Sequence, residues 1–157
     1  TAARTPSRGG HPSRPASGTA APGGGHCPYR LSIGTDEMTE SPVLDLKVLE
    51  RLRDWGGRDL VPRMIELFLE DARERIEEIR AGLHDGEAST VERGAHSIKS
   101  GAANLGASRL RFLAAEMEEV AARGEPSRLP DLAKRVEEAF EEVAERLQVI
   151  RRGEEAK

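Results

Sequence analysis

Residues 87–106 read EASTVERGAHSIKSGAANLG. On a helical wheel at about 100° per residue with Val91 at zero, Ala95, Ile98, Ala102 and Leu105 all fall within about 40° of it. A single apolar stripe recurring at this spacing is the signature of an amphipathic helix, and Gly106 follows it where a C-cap glycine belongs. On the same wheel Lys99 lies near about 80°, Ala103 near about 120°, His96 near about 140° and Ser100 near about 180°. One side of the helix is therefore committed to a core, and its histidine is turned toward water.

The flanking sequence repeats this pattern. Upstream, Leu44, Val48 and Leu52 recur four apart in a short segment that Gly56 and Gly57 stop, with Trp55 expected to pack at its end. A long helix then opens at Asp59 as N-cap, with Pro62 in its first turn. Val61, Ile65, Phe68, Ala72, Ile76, Ile79 and Leu83 form its stripe, and it stops near His84-Asp85-Gly86. Downstream, Leu110, Leu113, Met117 and Val120 mark a helix from Ser108 to Arg123, ended by Gly124-Glu125-Pro126. A last helix follows Pro130, with Leu132, Val136, Phe140, Val143, Leu147 and Ile150 inward. Four long helices with one apolar face each can bury those faces only against one another. The expected fold is all-α, an up-down antiparallel four-helix bundle with a short N-terminal lead-in helix.

Composition sets the limits of this unit. Residues 1–40 are expected to be a disordered Gly/Pro/Ser-rich tail, 41–152 the bundle and 153–157 a polar C-terminal tail. The net charge of −4 conceals a split, because the first 35 residues hold Arg4, Arg8, Arg14 and Arg30 and no acid. The remainder carries 20 basic against 28 acidic residues, a balance that argues against nucleic-acid binding. Cys27 is the single cysteine, so neither an intramolecular disulfide nor a zinc cluster follows. No apolar run is long enough for a membrane span or a secretory signal, and a monomeric cytoplasmic protein is expected.

The chemistry points to the face around His96. Helix surfaces usually carry long charged side chains, yet Ser100 and Ala103 keep the surface beside this imidazole low, so another protein can approach it. Lys99, three residues on, brings an ammonium to an adjoining part of the surface, and Glu92 lies one turn before the histidine. Gly94 and Gly101, seven apart, each cost about 1 kcal/mol relative to Ala in a helix, and close approach of a neighbouring helix is the expected compensation.

The run Ala95-His96-Ser97-Ile98-Lys99-Ser100-Gly101-Ala102-Ala103-Asn104-Leu105-Gly106-Ala107 resembles the signature of histidine-containing phosphotransfer (HPt) domains, with Ile98 where Leu is common. The likeness extends through Leu67-Phe68-Leu69-Glu70-Asp71, Leu110, Leu113 and Glu118, over about residues 43–150. The resemblance implies that His96 is phosphorylated in a two-component phosphorelay and that Lys99 stabilises the phosphoryl group. It also implies that Glu92, Ser100, Gly101 and Ala103 form the docking surface, while Asn104 and Gly106 shape the helix end. Response-regulator receiver domains and a hybrid histidine kinase are the implied partners. The carrier needs no cofactor of its own, because the Mg²⁺ belongs to the receiver, and it has no kinase or phosphatase activity.

Two other readings stay open: the phosphoacceptor domain of a chemotaxis-type histidine kinase, and a non-catalytic helical scaffold. A ferritin-like metal bundle would need inward carboxylates and Glu-x-x-His pairs on two helices, which this sequence does not supply. A phosphate-binding glycine loop and a nucleophile–base pair are also missing, which argues against a bundle kinase or hydrolase.

Overall fold

The structure is a computed structural model and describes residues 42–155; the Gly/Pro/Ser-rich tail expected over 1–40 lies outside them. Five helices follow in order: α1 (Leu46–Gly56), α2 (Leu60–Asp85), α3 (Ala88–Leu105), α4 (Ser108–Ala122) and α5 (Leu129–Glu155). A single 3-10 turn, Pro126–Arg128, leads into α5. Each long helix packs on the next, α5 also packs on α2, and the four thus enclose one helical-bundle core.

Local chemistry sets the helix ends. Asp45 caps α1 by accepting a 3.1 Å hydrogen bond from the Lys47 amide. Asp59 holds the N-cap position of α2 but makes no side-chain cap bond. The amides of Glu87, Ala107 and Glu125 reach back five residues to the carbonyls of Gly82, Ala102 and Val120, closing α2, α3 and α4 in the same way. The backbone turn each closure needs is supplied by Gly86, Gly106 or Gly124, all at φ near 70°.

The stripes read from the sequence form the core. Val61, Ile65, Ile98, Leu105, Leu110, Met117, Val136 and Leu147 are all at most 1% exposed, and Phe140 meets Phe68 edge to face at 6.2 Å. No polar side chain is buried among the described residues, so the interior is held together by apolar burial and packing alone. On the surface, Arg80 clasps Glu137 with two hydrogen bonds of 2.9 and 2.7 Å, joining α2 to α5.

The glycines of α3 explain how closely its neighbours approach. A Cβ at Gly94 would lie 2.7 Å from Ile79 Cγ1, and one at Gly101 would lie 2.7 Å from Phe68 Cδ2. Both contacts come from α2, so the missing side chains let two helices close together, as their spacing suggests.

Two expectations need correction. Trp55 does not pack at the end of α1; it is 88% exposed, because α1 stops one residue later and the core that covers Leu49 does not extend to the last turn. The boundary expected at 152 falls inside α5, which runs to Glu155, since Gly153 carries no turn that would break the helix.

Gly106 is used twice. Its φ of 74° suits glycine, and a Cβ there would lie 2.9 Å from the Asp45 carbonyl oxygen, where α1 docks on the end of α3. Gly86 has a similar φ of 71° with open space around it. Gly86→Ala should therefore cost about 1 kcal/mol, the backbone term alone, and Gly106→Ala about 2–3 kcal/mol. Urea denaturation of the two variants checks this; equal losses would mean that α1 yields freely to the added methyl group.

Candidate functional site

His96 sits mid-helix on α3, with its side chain 61% exposed. The phase of the helix puts it there, because Val91, Ala95, Ile98 and Ala102 occupy the opposite side and are buried to 1% or less. The ring is not free in solvent, however. Its Nδ1 lies 2.7 Å from Glu118 Oε1 on α4, and the other carboxylate oxygen, Oε2, lies 2.5 Å from the Lys99 ammonium. One carboxylate thus joins the two polar residues that the sequence singles out.

The electrostatics of this trio define the imidazole. Glu118 is only 22% exposed, and burial pushes its carboxyl up. The hydrogen bonds from Lys99 and His96, with the charges behind them, outweigh burial and hold the carboxyl below its usual range. An ionised carboxylate only accepts hydrogen bonds, so Nδ1 must be the donor. The lone pair of the neutral ring then resides on Nε2, the nitrogen that this bond leaves unused.

The remaining sequence candidates divide by role. Ser100 is exposed, and its hydroxyl donates to the His96 carbonyl at 3.0 Å, which folds the side chain back onto the helix. Ala103 and Asn104 are exposed on the following turn, while Gly106 is buried at the helix end. Gly101 is half-buried against Phe68, so its lack of a side chain serves packing on α2, and the expectation that it keeps a docking surface open gains no direct support. Glu92 is half-buried and, with His96, lines a cleft of about 410 Å³.

That cleft brings in residues to which the sequence reading gave no site role. Arg75 and Glu78 of α2 line it, as do Arg93 and Ser97 of α3 and Glu118. Arg75 is held by Asp71 at 3.1 Å and Glu78 at 2.7 Å. Glu118 follows the buried Met117 on the α4 wheel, so a flank position was legible. Which flank faces α3 depends on how the two helices pack, and no local pattern carries that. No group of His, Cys, Asp and Glu among the described residues has the arrangement of a metal site, and no described helix is long and apolar enough to cross a membrane.

Comparison with known proteins agrees with this geometry. The family model described as the Hpt domain matches residues 63–152. No match was found among curated proteins. Among solved structures, the chain is similar to the histidine-containing phosphotransfer protein B (HptB) of Pseudomonas aeruginosa PAO1, at 34% identity and a TM-score of 0.68. That match covers 71% of this chain and 96% of the other. Matched by the Hpt model over more than half its length, and carrying an exposed histidine on the outer face of a helix whose other face is buried, the chain belongs to the Hpt domain family and is a histidine phosphotransfer protein of a phosphorelay.

Proposed function

We propose that His96 accepts the phosphoryl group from the aspartate of one receiver domain and passes it to the aspartate of another, with Glu118 and Lys99 preparing it for both transfers. The observation that carries this reading is the 2.7 Å bond from the exposed imidazole to a carboxylate that also binds Lys99.

In the forward step Nε2 attacks phosphorus in line, and a P–N bond forms. The P–O bond to the receiver's aspartate breaks, and its electron pair leaves on that carboxylate. The ring becomes cationic while Nδ1–H stays on Glu118, whose negative charge stabilises it. Lys99 supplies an ammonium for a phosphoryl oxygen. Transfer to the next receiver reverses these events. Exposure of the ring leaves room for a receiver's active site, and the low side chains of Ser100 and Ala103 extend that room along α3.

In this reading the chain has no kinase or phosphatase activity of its own, holds no resident cofactor and works as a cytoplasmic monomer, the Mg²⁺ being the receiver's. The Pseudomonas protein similar in sequence and fold is named for phosphotransfer, which supports the assignment to a carrier.

ATP alone should leave the protein unlabelled, whereas a phosphorylated receiver should label it, with the mass shift mapped to His96. His96→Gln should retain its helicity by circular dichroism and take no label; labelling of that variant sinks the proposal. Lys99→Ala should fold and slow transfer by about tenfold, and an unchanged rate would remove Lys99 from the reaction.

Glu118 also gives a pH signature. Its carboxyl is lowered in the folded state, so the stability it contributes is present above its unfolded value of about 4.3. That stability is lost as the pH falls through the lower folded value. Glu118→Gln should therefore be less stable than the parent by about 1 kcal/mol at neutral pH. The gap should narrow at an acidic pH below about 4.3, where the parent's lowered carboxyl begins to take up its proton as well. Urea melts at the two pH values measure the gap, and a constant difference would show that the bonds to His96 and Lys99 contribute nothing.

A further inference from the structure

Phosphorylation places a charge of about −2 beside a cleft whose cations are mostly committed. Lys99 is bound to Glu118 at 2.5 Å, and Arg75 is held by Asp71, Glu74 and Glu78. Glu78, Glu92 and Glu118 all line the same space, so a phosphoryl group on His96 enters surroundings that already carry three carboxylates. For Lys99 to meet that group fully it must loosen its bond to Glu118, which would leave a largely buried carboxylate with less compensation.

Arg93 has no such tie. It stands three residues before His96 on α3, so the two side chains share a helix face at neighbouring turns, and it lines the same 410 Å³ cleft. Among the described residues it meets no carboxylate, and it donates only a long 3.5 Å hydrogen bond to Thr90 Oγ1, which costs little to break. Its guanidinium presents paired N–H donors in a planar fork that matches two oxygens of a phosphoryl group.

We propose that Arg93 is the residue that clamps the phosphoryl group once it is on His96, a phosphate-binding role separate from that of Lys99. It stabilises the phosphorylated form specifically and so biases the phosphoryl group toward the carrier in its equilibrium with a receiver. This rests on His96 being the phosphorylated residue, as proposed above.

The test is the equilibrium partition of label between the protein and a receiver, measured for the parent, Arg93→Ala, Arg93→Lys and, as a charge control on α5, Arg146→Ala. Arg93→Ala should shift the partition toward the receiver by about fivefold, Arg93→Lys should recover part of it, and Arg146→Ala should match the parent. Chemical phosphorylation with phosphoramidate, followed by ³¹P NMR titration, supplies a readout that a merely structural residue would not move. The phosphoryl group should titrate at higher pH in Arg93→Ala than in the parent. An unchanged partition and titration would overturn the proposal. It would also be overturned if Arg93→Ala weakened binding of the receiver to the unphosphorylatable His96→Gln protein while leaving the partition unchanged, since Arg93 would then serve docking. If the parent takes no phosphoryl group at His96 from either source, the reading of His96 falls first and takes the Arg93 role with it.

Discussion

The contact between Glu118 and the pair His96 and Lys99 ties the chemistry of this protein to its fold. A carboxylate on α4 can reach both residues only if α3 and α4 are packed closely and in one rotational phase. Partial burial works against the charge on Glu118, and the two hydrogen bonds more than offset it. The packing thus holds the carboxylate in place, and the carboxylate determines which nitrogen of an otherwise exposed ring keeps its proton. A histidine equally exposed but without this partner would exchange between tautomers, and part of the population would present no lone pair at Nε2.

Such close packing requires a slender helix. Gly94 and Gly101 give up about 1 kcal/mol each in helix propensity, and in return Ile79 and Phe68 of α2 press directly against the α3 backbone. Ala95 and Ala102 are fully buried, so small side chains recur on the core face as well. Bulk is supplied from elsewhere, by Phe140, Ile65, Leu110 and Met117. The helix that carries His96 is therefore gripped on its buried side and kept low beside the ring on its outer one, which positions the imidazole without covering it.

Much of this was legible before any coordinates. Stripe periodicity located every long helix, because burial on one face is a local property of sequence, and Gly106 marked the end of α3 because a left-handed backbone turn favours glycine. The outward direction of His96 followed from the same wheel. Trp55 was misjudged for a physical reason: apolar character shows that a residue can be buried, whereas its cover depends on how far the neighbouring elements extend. Glu118, Arg75 and Arg93 were missed as members of the site for a related reason. Each is a charged residue on a charged surface; Arg93 shares its helix with His96, whereas Glu118 and Arg75 reach the imidazole only through the packing of α2, α3 and α4.

In the proposed transfer, the same arrangement suits a carrier that works in both directions. A group that passed phosphate in only one direction would need a charge environment favouring either the free or the phosphorylated ring strongly. Here the surroundings of His96 oppose one another: Glu118 stabilises a cationic ring, Lys99 and the cleft arginines favour added negative charge, and Glu78 and Glu92 resist it. With the ring exposed, each of these terms is moderated by solvent. In the proposed transfer, opposing terms of this kind keep the carrier itself from strongly favouring either direction, so a difference between two receivers sets the direction of flow.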